Sequence, residues 1–103
     1  MKLKIYEPHY TAEGIPVEEL VASDYELVYD GEVRCLDLQN LFYSFSGRDA
    51  PYGYSGRSIG IGHVVCVYGG VYHGRYLCED DGIPRFSRID FDERLAYDSR
   101  EQG

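Results

Sequence analysis

The sequence predicts a single α+β domain in which a small antiparallel sheet carries one main helix packed on one face. Three observations favour this class: short runs of alternating β-branched and aromatic residues, turn signals between these runs, and one apolar stripe at helical spacing. The chain has 103 residues, which suits one domain. We assign residues 1–92 to this domain and residues 93–103 to a polar C-terminal tail.

The first half of the predicted sheet comes from residues 3–7 and 25–29. The run LKIYE alternates in the manner of a strand, and Pro8 ends it. Residues 17–22 are suited to one or two helical turns. The second strand continues into Asp30-Gly31, a tight-turn signal, so we expect either an interrupted strand or a hairpin at that point.

Residues 35–46 predict the main helix. Leu38, Leu41, Phe42 and Phe45 recur at i, i+3, i+4 and i+7, which places them on one apolar stripe. A periodic Leu/Phe stripe of this kind is typical of core packing. Gly47 follows as a natural helix stop, because glycine readily adopts the left-handed conformation that closes many helices.

The second half of the sheet comes from residues 61–68 and 72–78. The stretch IGIGHVVCVY alternates as a strand, Gly69-Gly70 turns the chain, and a partner strand follows. Residues 84–91 complete the sheet as a short final strand or extended segment. Gly60 and Gly62 share one face of the first of these strands, and we expect that face to be shallow enough for a helix or a partner to approach.

Residues 56–60 match G-x-S-x-G, the nucleophile-elbow pattern of serine hydrolases, with Ser58 at the nucleophile position. That chemistry needs a strand before the serine and a helix after it, within a large parallel sheet. Here a tyrosine-rich loop precedes Ser58 and a strand-like alternation follows it. We therefore predict that Ser58 is not catalytic. The glycines also lack the G-K-[ST] continuation of a phosphate-binding loop.

A metal site is a second reading of the same region. Four zinc-type ligands lie close together in the sequence, His63, Cys66, His73 and Cys78. Their spacing matches no zinc knuckle, and in an extended strand His63 and Cys66 point to opposite faces. The acidic run at 79–81 lacks the ligand order of a calcium loop. We expect no metal, with the cysteines acting as small hydrophobic residues.

Charge and cysteine content narrow the class of protein. The net charge is −8, divided into −5 for residues 1–34, +1 for residues 35–75 and −4 for residues 76–103. An acidic surface repels phosphate, so we expect no direct nucleic-acid binding. Three cysteines at no framework spacing fit a cytoplasmic protein, and no apolar run predicts a membrane span or a secretory signal.

The near-neutral middle of the chain has the composition of a binding surface. Residues 35–75 hold five of the eleven tyrosines together with three arginines. Tyrosine and arginine are enriched at the centres of protein interfaces. Tyrosine equally suits half-buried strands, so both roles stay open for any single ring.

Two stretches resemble the YodL-like domain family. SGRSIGIGHVVCV followed by HGRYLCEDDGIPRF is similar to the family's G-[RH]-S-[LM]-S-[VM]-S-D-V-V core and the aromatic-rich strand after it. YELVYDGEVRCLDLQNLFYSFS resembles the family's preceding strand and helix, and the likeness spans residues 3–92. Gly60 and Gly62 stand where the family has serines, and His63 stands where it has aspartate. An activity that depended on those polar positions would be lost or changed here.

The resemblance implies an α+β domain of phages and conjugative elements, present as small proteins or as modules of large polyvalent proteins. It implies a role in helping the element survive in a host, and it supplies no catalytic residue set. We therefore predict a non-enzymatic anti-defence protein without cofactors, an inhibitor of a host nuclease such as a CRISPR effector or restriction enzyme. Acidic side chains would occupy the nuclease's nucleic-acid channel as phosphates do.

The predicted partner-binding residues combine aromatic and arginine anchors with carboxylates. They are Tyr52, Tyr54, Arg57, Tyr72, Arg75, Glu79, Asp80, Asp81, Asp90 and Asp92, with Glu93 beside them. The alternative is a small-ligand domain that sequesters a nucleotide signal, with tyrosines stacking on the base and Arg57 and Arg75 holding phosphates. A third reading is an enzyme that uses Ser58, His63 or a metal.

Overall fold

The computed structural model describes residues 1–9, 15–45, 53–80 and 85–97; for Val17 and Asp80 it describes the backbone alone. Within these ranges the chain forms five strands, one α-helix and three 3₁₀ turns. The strands and helix are β1 (Lys2–Pro8), β2 (Tyr25–Glu32), α1 (Leu38–Ser44), β3 (Val64–Tyr68), β4 (Gly74–Asp80) and β5 (Arg85–Arg88). The 3₁₀ turns are Val17–Glu19, Ala22–Asp24 and Glu93–Leu95.

The five strands form one antiparallel sheet in the order β2-β1-β3-β4-β5. β1 lies between β2 and β3, so that Ile5 is opposite both Tyr29 and Val65. The register between β1 and β2 shifts between Ile5 and Tyr6. An antiparallel sheet with one helix confirms the predicted α+β class.

β2 is longer than the sequence predicts. Asp30 and Gly31 continue the strand and lie opposite Lys4 and Leu3 of β1. A two-residue hairpin turn of the Asp-Gly type needs a positive φ at both residues, and neither has one. The hairpin alternative was therefore wrong, because β1 offers the segment a strand partner.

β3 begins later than predicted, at Val64. Residues 60–63 form a turn in which the His63 amide donates to the Gly60 carbonyl at 3.1 Å, and Gly62 has a φ of +92°. The placement of Gly60 and Gly62 on a strand face was wrong. A backbone at that φ excludes a regular strand and favours glycine.

Both faces of the sheet are buried. On one face, residues of β1, β3 and β4, including Ile5, Val65 and Cys78, share a cluster with Leu41 and Phe45. On the other face, Tyr6, Leu27, Val64 and Cys66 pack with Ala22 and Phe91. Side chains alternate along a strand, so β3, buried from Val64 to Val67, contributes to both clusters.

α1 is shorter than the predicted 35–46 segment. Asp37 caps it by accepting a hydrogen bond from the Asn40 amide at 2.7 Å, so the helix begins at Leu38. Leu41, Phe42 and the C-cap Phe45 are buried as predicted, and Leu38 is partly buried. Gly47 lies outside the described residues. No helix in the described ranges is long and apolar enough to cross a membrane.

The beginning of the predicted tail is attached to the sheet. The Tyr97 amide donates to the Tyr25 carbonyl at 2.7 Å, and the Leu27 amide donates to the Tyr97 carbonyl at 2.9 Å. These bonds place Tyr97 along the outer edge of β2, next to Glu26. The segment from Ile89 to Tyr97 therefore runs across the sheet face that carries Phe91.

Candidate functional site

A buried carboxylate joins the end of β1 to the loop before β3. Glu7 Oε1 accepts from the Arg57 backbone amide at 2.6 Å and from Arg57 Nε at 3.1 Å. Arg57 Nη2 also donates to the Pro8 carbonyl at 3.2 Å. His63 Nε2 lies 3.4 Å from the same Glu7 oxygen, within ion-pair distance but without hydrogen-bond geometry. We call Glu7, Arg57 and His63 the Glu7 cluster.

The Glu7 cluster keeps its carboxylate charged. Burial alone would raise the pKa of Glu7, but contact with His63 and the bonds from Arg57 outweigh it and lower the pKa to about 2. The His63 side chain is only 4% exposed, and its Nδ1 lies 3.2 Å from both the amide nitrogen and the carbonyl oxygen of Gly60. The cluster therefore fixes the loop and the 60–63 turn against β1.

This geometry bears on the hydrolase reading. A catalytic histidine holds a carboxylate with one ring nitrogen and the nucleophile's hydroxyl with the other. His63 already has Glu7 beside Nε2 and the Gly60 backbone beside Nδ1. Ser58 is exposed, and neither a strand before it nor a helix after it is present in residues 53–63. The non-catalytic role of Ser58 stays a prediction, and the geometry favours it.

The predicted anchors Tyr54 and Arg57 make contacts within the chain. The Tyr54 hydroxyl donates to the Arg57 carbonyl, and its ring packs edge-on against Phe45 and Tyr29, with centroids 4.9 and 6.4 Å apart. Burial raises the pKa of Tyr54, and the nearby Glu7 charge adds to the effect. The Arg57 side chain is 48% exposed, so part of it faces solvent despite its bonds to Glu7.

Tyr72 and Arg75 lie apart from the Glu7 cluster. The Tyr72 carbonyl accepts from the Tyr76 hydroxyl at 2.8 Å. Arg75 lies opposite Cys66 in the sheet, and its Nη2 is 3.5 Å from Glu93 Oε2. Cys66 belongs to the cluster on the Phe91 face, whereas Glu7 follows the phase of Leu3 and Ile5 on the other face. Arg57 and Arg75 therefore do not form one phosphate site.

The predicted carboxylates lie on β4, on the segment after β5, or outside the described residues. Glu79 is exposed on β4, whereas Tyr52, Asp81 and the Asp80 side chain lie outside the described residues. Asp92 caps the Glu93–Leu95 turn and accepts from the Arg94 side chain at 3.0 Å, which lowers the pKa of Asp92. Glu93 accepts from the Tyr68 hydroxyl, and Asp90 is exposed. Of the predicted carboxylates whose side chains are described, Asp90, Asp92 and Glu93 thus lie on the segment after β5, and Glu79 lies on β4.

Asp90 and Asp92 border a cleft of about 350 Å³ between the first two 3₁₀ turns and the segment after β5. Its walls include Ala22, Tyr25, Ile89 and Phe91. Val21, Leu95 and Glu18 complete its rim. We call this the Phe91 cleft. Its volume lies within the range of ligand pockets, ~300–1,000 Å³.

Sequence reasoning missed several residues of these sites. Glu7 had a signal, because strand alternation places it in phase with the buried Leu3 and Ile5. A carboxylate in that phase requires buried partners. The sequence gives no such signal for the cleft residues Glu18, Val21 and Leu95. No local pattern relates residues 18–21 to a segment about seventy positions later.

A family model for the YodL-like domain matches residues 2–91 of the chain. The chain belongs to the YodL-like domain family. The match covers the Glu7 cluster and all but the last residues of the Phe91 cleft. No curated protein and no solved structure gives a significant match.

Within this YodL-like domain, the three polar positions of the quoted family pattern that are replaced here, at Gly60, Gly62 and His63, lie in the 60–63 turn. A Cβ at Gly62 would meet Pro8 Cγ at 3.2 Å, and the φ of +92° disfavours any other residue. His63 lies against the Glu7 carboxylate. An aspartate at position 63 would set two negative charges together there, so histidine and Glu7 are suited to each other in this chain.

Proposed function

We propose that this YodL-like domain is a non-enzymatic anti-defence protein of a phage or other mobile element. It binds and inhibits a host nuclease, such as a CRISPR effector or a restriction enzyme. The observation that carries the proposal is the set of carboxylates, Glu18, Asp90 and Asp92, around an apolar cleft. No basic side chain of the described residues lines that cleft. Such a surface is complementary to the positively charged channel that holds nucleic acid in a nuclease.

The overall charge supports the same mode of action. A chain of net charge −8 is steered towards a basic partner, and exposed carboxylates occupy the positions that phosphates take. The encounter occurs in the cytoplasm, where host nucleases meet incoming DNA. Cys35, Cys66 and Cys78 carry free thiols, which is consistent with a reducing compartment.

Binding accounts for the polar groups better than catalysis does. Among the described residues, the buried polar side chains are Glu7 and His63, and they contact each other, Arg57 and the backbone. Catalytic groups need access to a reacting atom. The Glu7 cluster therefore acts as a brace for the loop, and the exposed carboxylates are left to make contacts with a partner.

We also infer that α1 packs across one face of the sheet and forms the rigid side of the domain. Leu41, Phe42 and Phe45 share a buried cluster with residues of β1, β3 and β4. The Phe45 ring meets Tyr29 of β2 edge-on, with centroids 4.9 Å apart. This packing leaves the Phe91 cleft, on the opposite side of the sheet, for a partner.

The small-ligand alternative has one observation in its favour. A second cleft of about 430 Å³ is lined by Arg75 and Arg94 together with Asp90, Asp92 and Glu93. Both guanidinium groups already pair with carboxylates, Arg75 with Glu93 and Arg94 with Asp92. A nucleotide would have to displace these pairs, so we favour the protein partner.

A co-expression assay tests the proposal. Cells that carry one CRISPR effector or restriction enzyme are challenged with phage, and plaques are counted with and without the protein. We expect one nuclease to be inhibited and to form a complex with the protein on size exclusion. Asp90→Lys should slow association several-fold, and rising salt should weaken binding. Glu32→Lys makes the same charge change on β2, at the other edge of the sheet, and is the control.

The opposite pattern would overturn the proposal. If Asp90→Lys leaves inhibition intact while Arg75→Ala abolishes it, charge complementarity at the cleft is not the mechanism. If the protein purified from cells also retains a nucleotide that raises its melting temperature, the small-ligand alternative is correct.

A further inference from the structure

The Phe91 cleft has apolar side chains both inside it and at its mouth. Tyr25, Val64 and Phe91 are buried at its base. Val21 and Leu95 stand on its rim with 59% and 63% of their surface exposed. Single exposed apolar residues are ordinary, but a pair beside an apolar cleft extends it into one continuous apolar surface.

The rim of the Phe91 cleft carries one sign of charge. Glu18, Asp90 and Asp92 line it, and no described lining residue is basic. Arg94 donates to Asp92 and lines the neighbouring cleft rather than this one. The carboxylates are therefore arranged around an apolar centre, which is the layout of an interface with an apolar core and a polar rim.

We infer that the Phe91 cleft is the docking site for a segment of the partner protein that presents one apolar side chain flanked by lysine or arginine. The apolar side chain fills the cleft between Val21 and Leu95, and the flanking cations meet Glu18 and Asp90. The inference rests on the proposed function, in which the partner is a host nuclease with a basic surface. It adds the source of specificity, because a buried apolar anchor contributes affinity that charge on the rim does not.

Charge complementarity selects this occupant over the others. Nucleic acid and acidic peptides are repelled by Glu18 and Asp90, whereas Asp92 is paired with Arg94. A second copy of the chain would bring the same acidic rim against itself, since a twofold interface pairs one patch with its equivalent. A cationic segment with an apolar residue satisfies both parts of the surface.

A titration followed by NMR tests the site directly. The probe is the blocked peptide Lys-Lys-Phe-Lys-Lys, added to ¹⁵N-labelled protein at low salt. We expect amide shifts at residues 18–25 and 89–95, with a Kd in the range of ~1 mM that suits a short peptide. Replacing the lysines of the peptide by glutamate, or its phenylalanine by alanine, should weaken binding about tenfold or more.

A matched pair of protein variants locates the site. Val21→Lys places a cation on the rim and should weaken the peptide about tenfold, because it repels the lysines and removes apolar surface. Val71→Lys makes the same substitution at a valine that is 88% exposed, outside the cleft, and should bind as the unchanged protein does. Each variant's amide spectrum shows that it is folded.

Three outcomes overturn the docking site. They are shifts centred away from residues 18–25 and 89–95, equal binding of the glutamate-flanked peptide, and no shift at peptide concentrations of about 5 mM. A failure of the proposed function looks different: the peptide binds the cleft, yet no nuclease is inhibited in the phage assay. If a nuclease is inhibited and Val21→Lys inhibits it equally well, the proposed function stands and the docking site is wrong.

Discussion

The loop at 53–63 and the segment at 89–97 are both polar surface segments, but their polar groups are used differently. In the loop, Arg57 and His63 turn inward to Glu7, and Tyr54 packs on Phe45. In the segment, Asp90 is exposed and Leu95 leaves most of its surface in solvent beside an apolar cleft. The loop is thus tied to a buried group of the chain, whereas the 89–97 segment keeps Asp90 and most of Leu95 exposed.

The difference comes from one buried charge. Glu7 is buried and needs protein partners, and the loop supplies Arg57 and His63. No fully buried carboxylate lies under the 89–97 segment among the described residues, and Asp90 stays at the surface. A tyrosine- and arginine-rich composition therefore indicates a binding surface only where no buried group of the chain bonds to the same side chains.

The largest effect should come from the residue on which the loop packs. Phe45→Ala removes a fully buried ring that contacts Tyr29 and Tyr54, so we expect a loss of ~3–5 kcal/mol in the free energy of unfolding. Denaturant titration measures it. Tyr43→Ala, at an exposed site of the same helix, is the control and should cost less than ~1 kcal/mol. A loss below ~1 kcal/mol for Phe45→Ala would mean that α1 does not support the loop.

Acid should weaken the braced loop through Glu7. The pKa of Glu7 is about 2 in the folded protein, against 4.5 for an unperturbed glutamate side chain, so its contribution to stability is present above pH 4.5 and is lost as pH falls towards 2. At ~1.4 kcal/mol per pKa unit, the contribution is on the order of 3 kcal/mol. Glu7→Gln should remove most of this acid sensitivity in denaturation measured between pH 5 and 2, and Glu32→Gln should retain it. An unchanged pH profile for Glu7→Gln would contradict the role of the cluster.

The 60–63 turn should show a smaller effect. Gly62→Ala forces a residue with a side chain to a φ of +92° and sets its Cβ 3.2 Å from Pro8 Cγ, so we expect a loss of ~2 kcal/mol. Gly69 has a similar φ of +83° with nothing within 4 Å of an added Cβ. Gly69→Ala therefore measures the backbone term alone, about 1 kcal/mol. Equal losses for the two variants would show that Pro8 does not constrain the turn.

On the 89–97 segment, a substitution should change function more than stability. Leu95→Ala removes a side chain that is mostly exposed, so the free energy of unfolding, measured by thermal denaturation, should change by less than ~1 kcal/mol. Inhibition of the nuclease should fall, since the rim of the docking site loses apolar surface. A variant that unfolds easily, or that inhibits as well as the unchanged protein, would place Leu95 in the scaffold rather than the interface.

The smallest effect is expected at Ser58. Ser58→Ala should leave inhibition unchanged and cost less than ~1 kcal/mol, because Ser58 is an exposed residue and lacks the setting of a nucleophile elbow. Labelling with a fluorophosphonate probe is the decisive measurement. Covalent modification of Ser58 would make the loop a catalytic element and reverse its assignment as a brace.

Much of the fold follows from local pattern. Alternation in 3–7 and in the later strands, and the Leu/Phe stripe of 35–46, were sufficient to predict an antiparallel sheet with one helix. The ends of the elements were harder. Asp37 shortened α1 by capping it, and Gly62 delayed β3, because caps and positive-φ turns depend on single residues that the periodic pattern does not reveal.

Less of the candidate site was predictable. Asp90 and Asp92 were chosen for their charge, and they do border a cleft. Tyr54 and Arg57 were chosen for their residue type, and both contact buried groups of the chain. Residue type states what a side chain is capable of binding, but its neighbours in space determine whether it is still available.

The sequence alone determined the α+β class, the YodL-like family, the acidic charge and the buried stripe of the helix, since each depends on local order or composition. Only the tertiary structure decided which polar groups are satisfied within the chain. Glu7 and Arg57 lie fifty positions apart, and Val21 and Leu95 lie still farther apart. The packing of loops and 3₁₀ turns against the sheet brings such residues together, and no local propensity encodes that packing. Burial then requires Glu7 to be bonded, while Asp90 remains exposed.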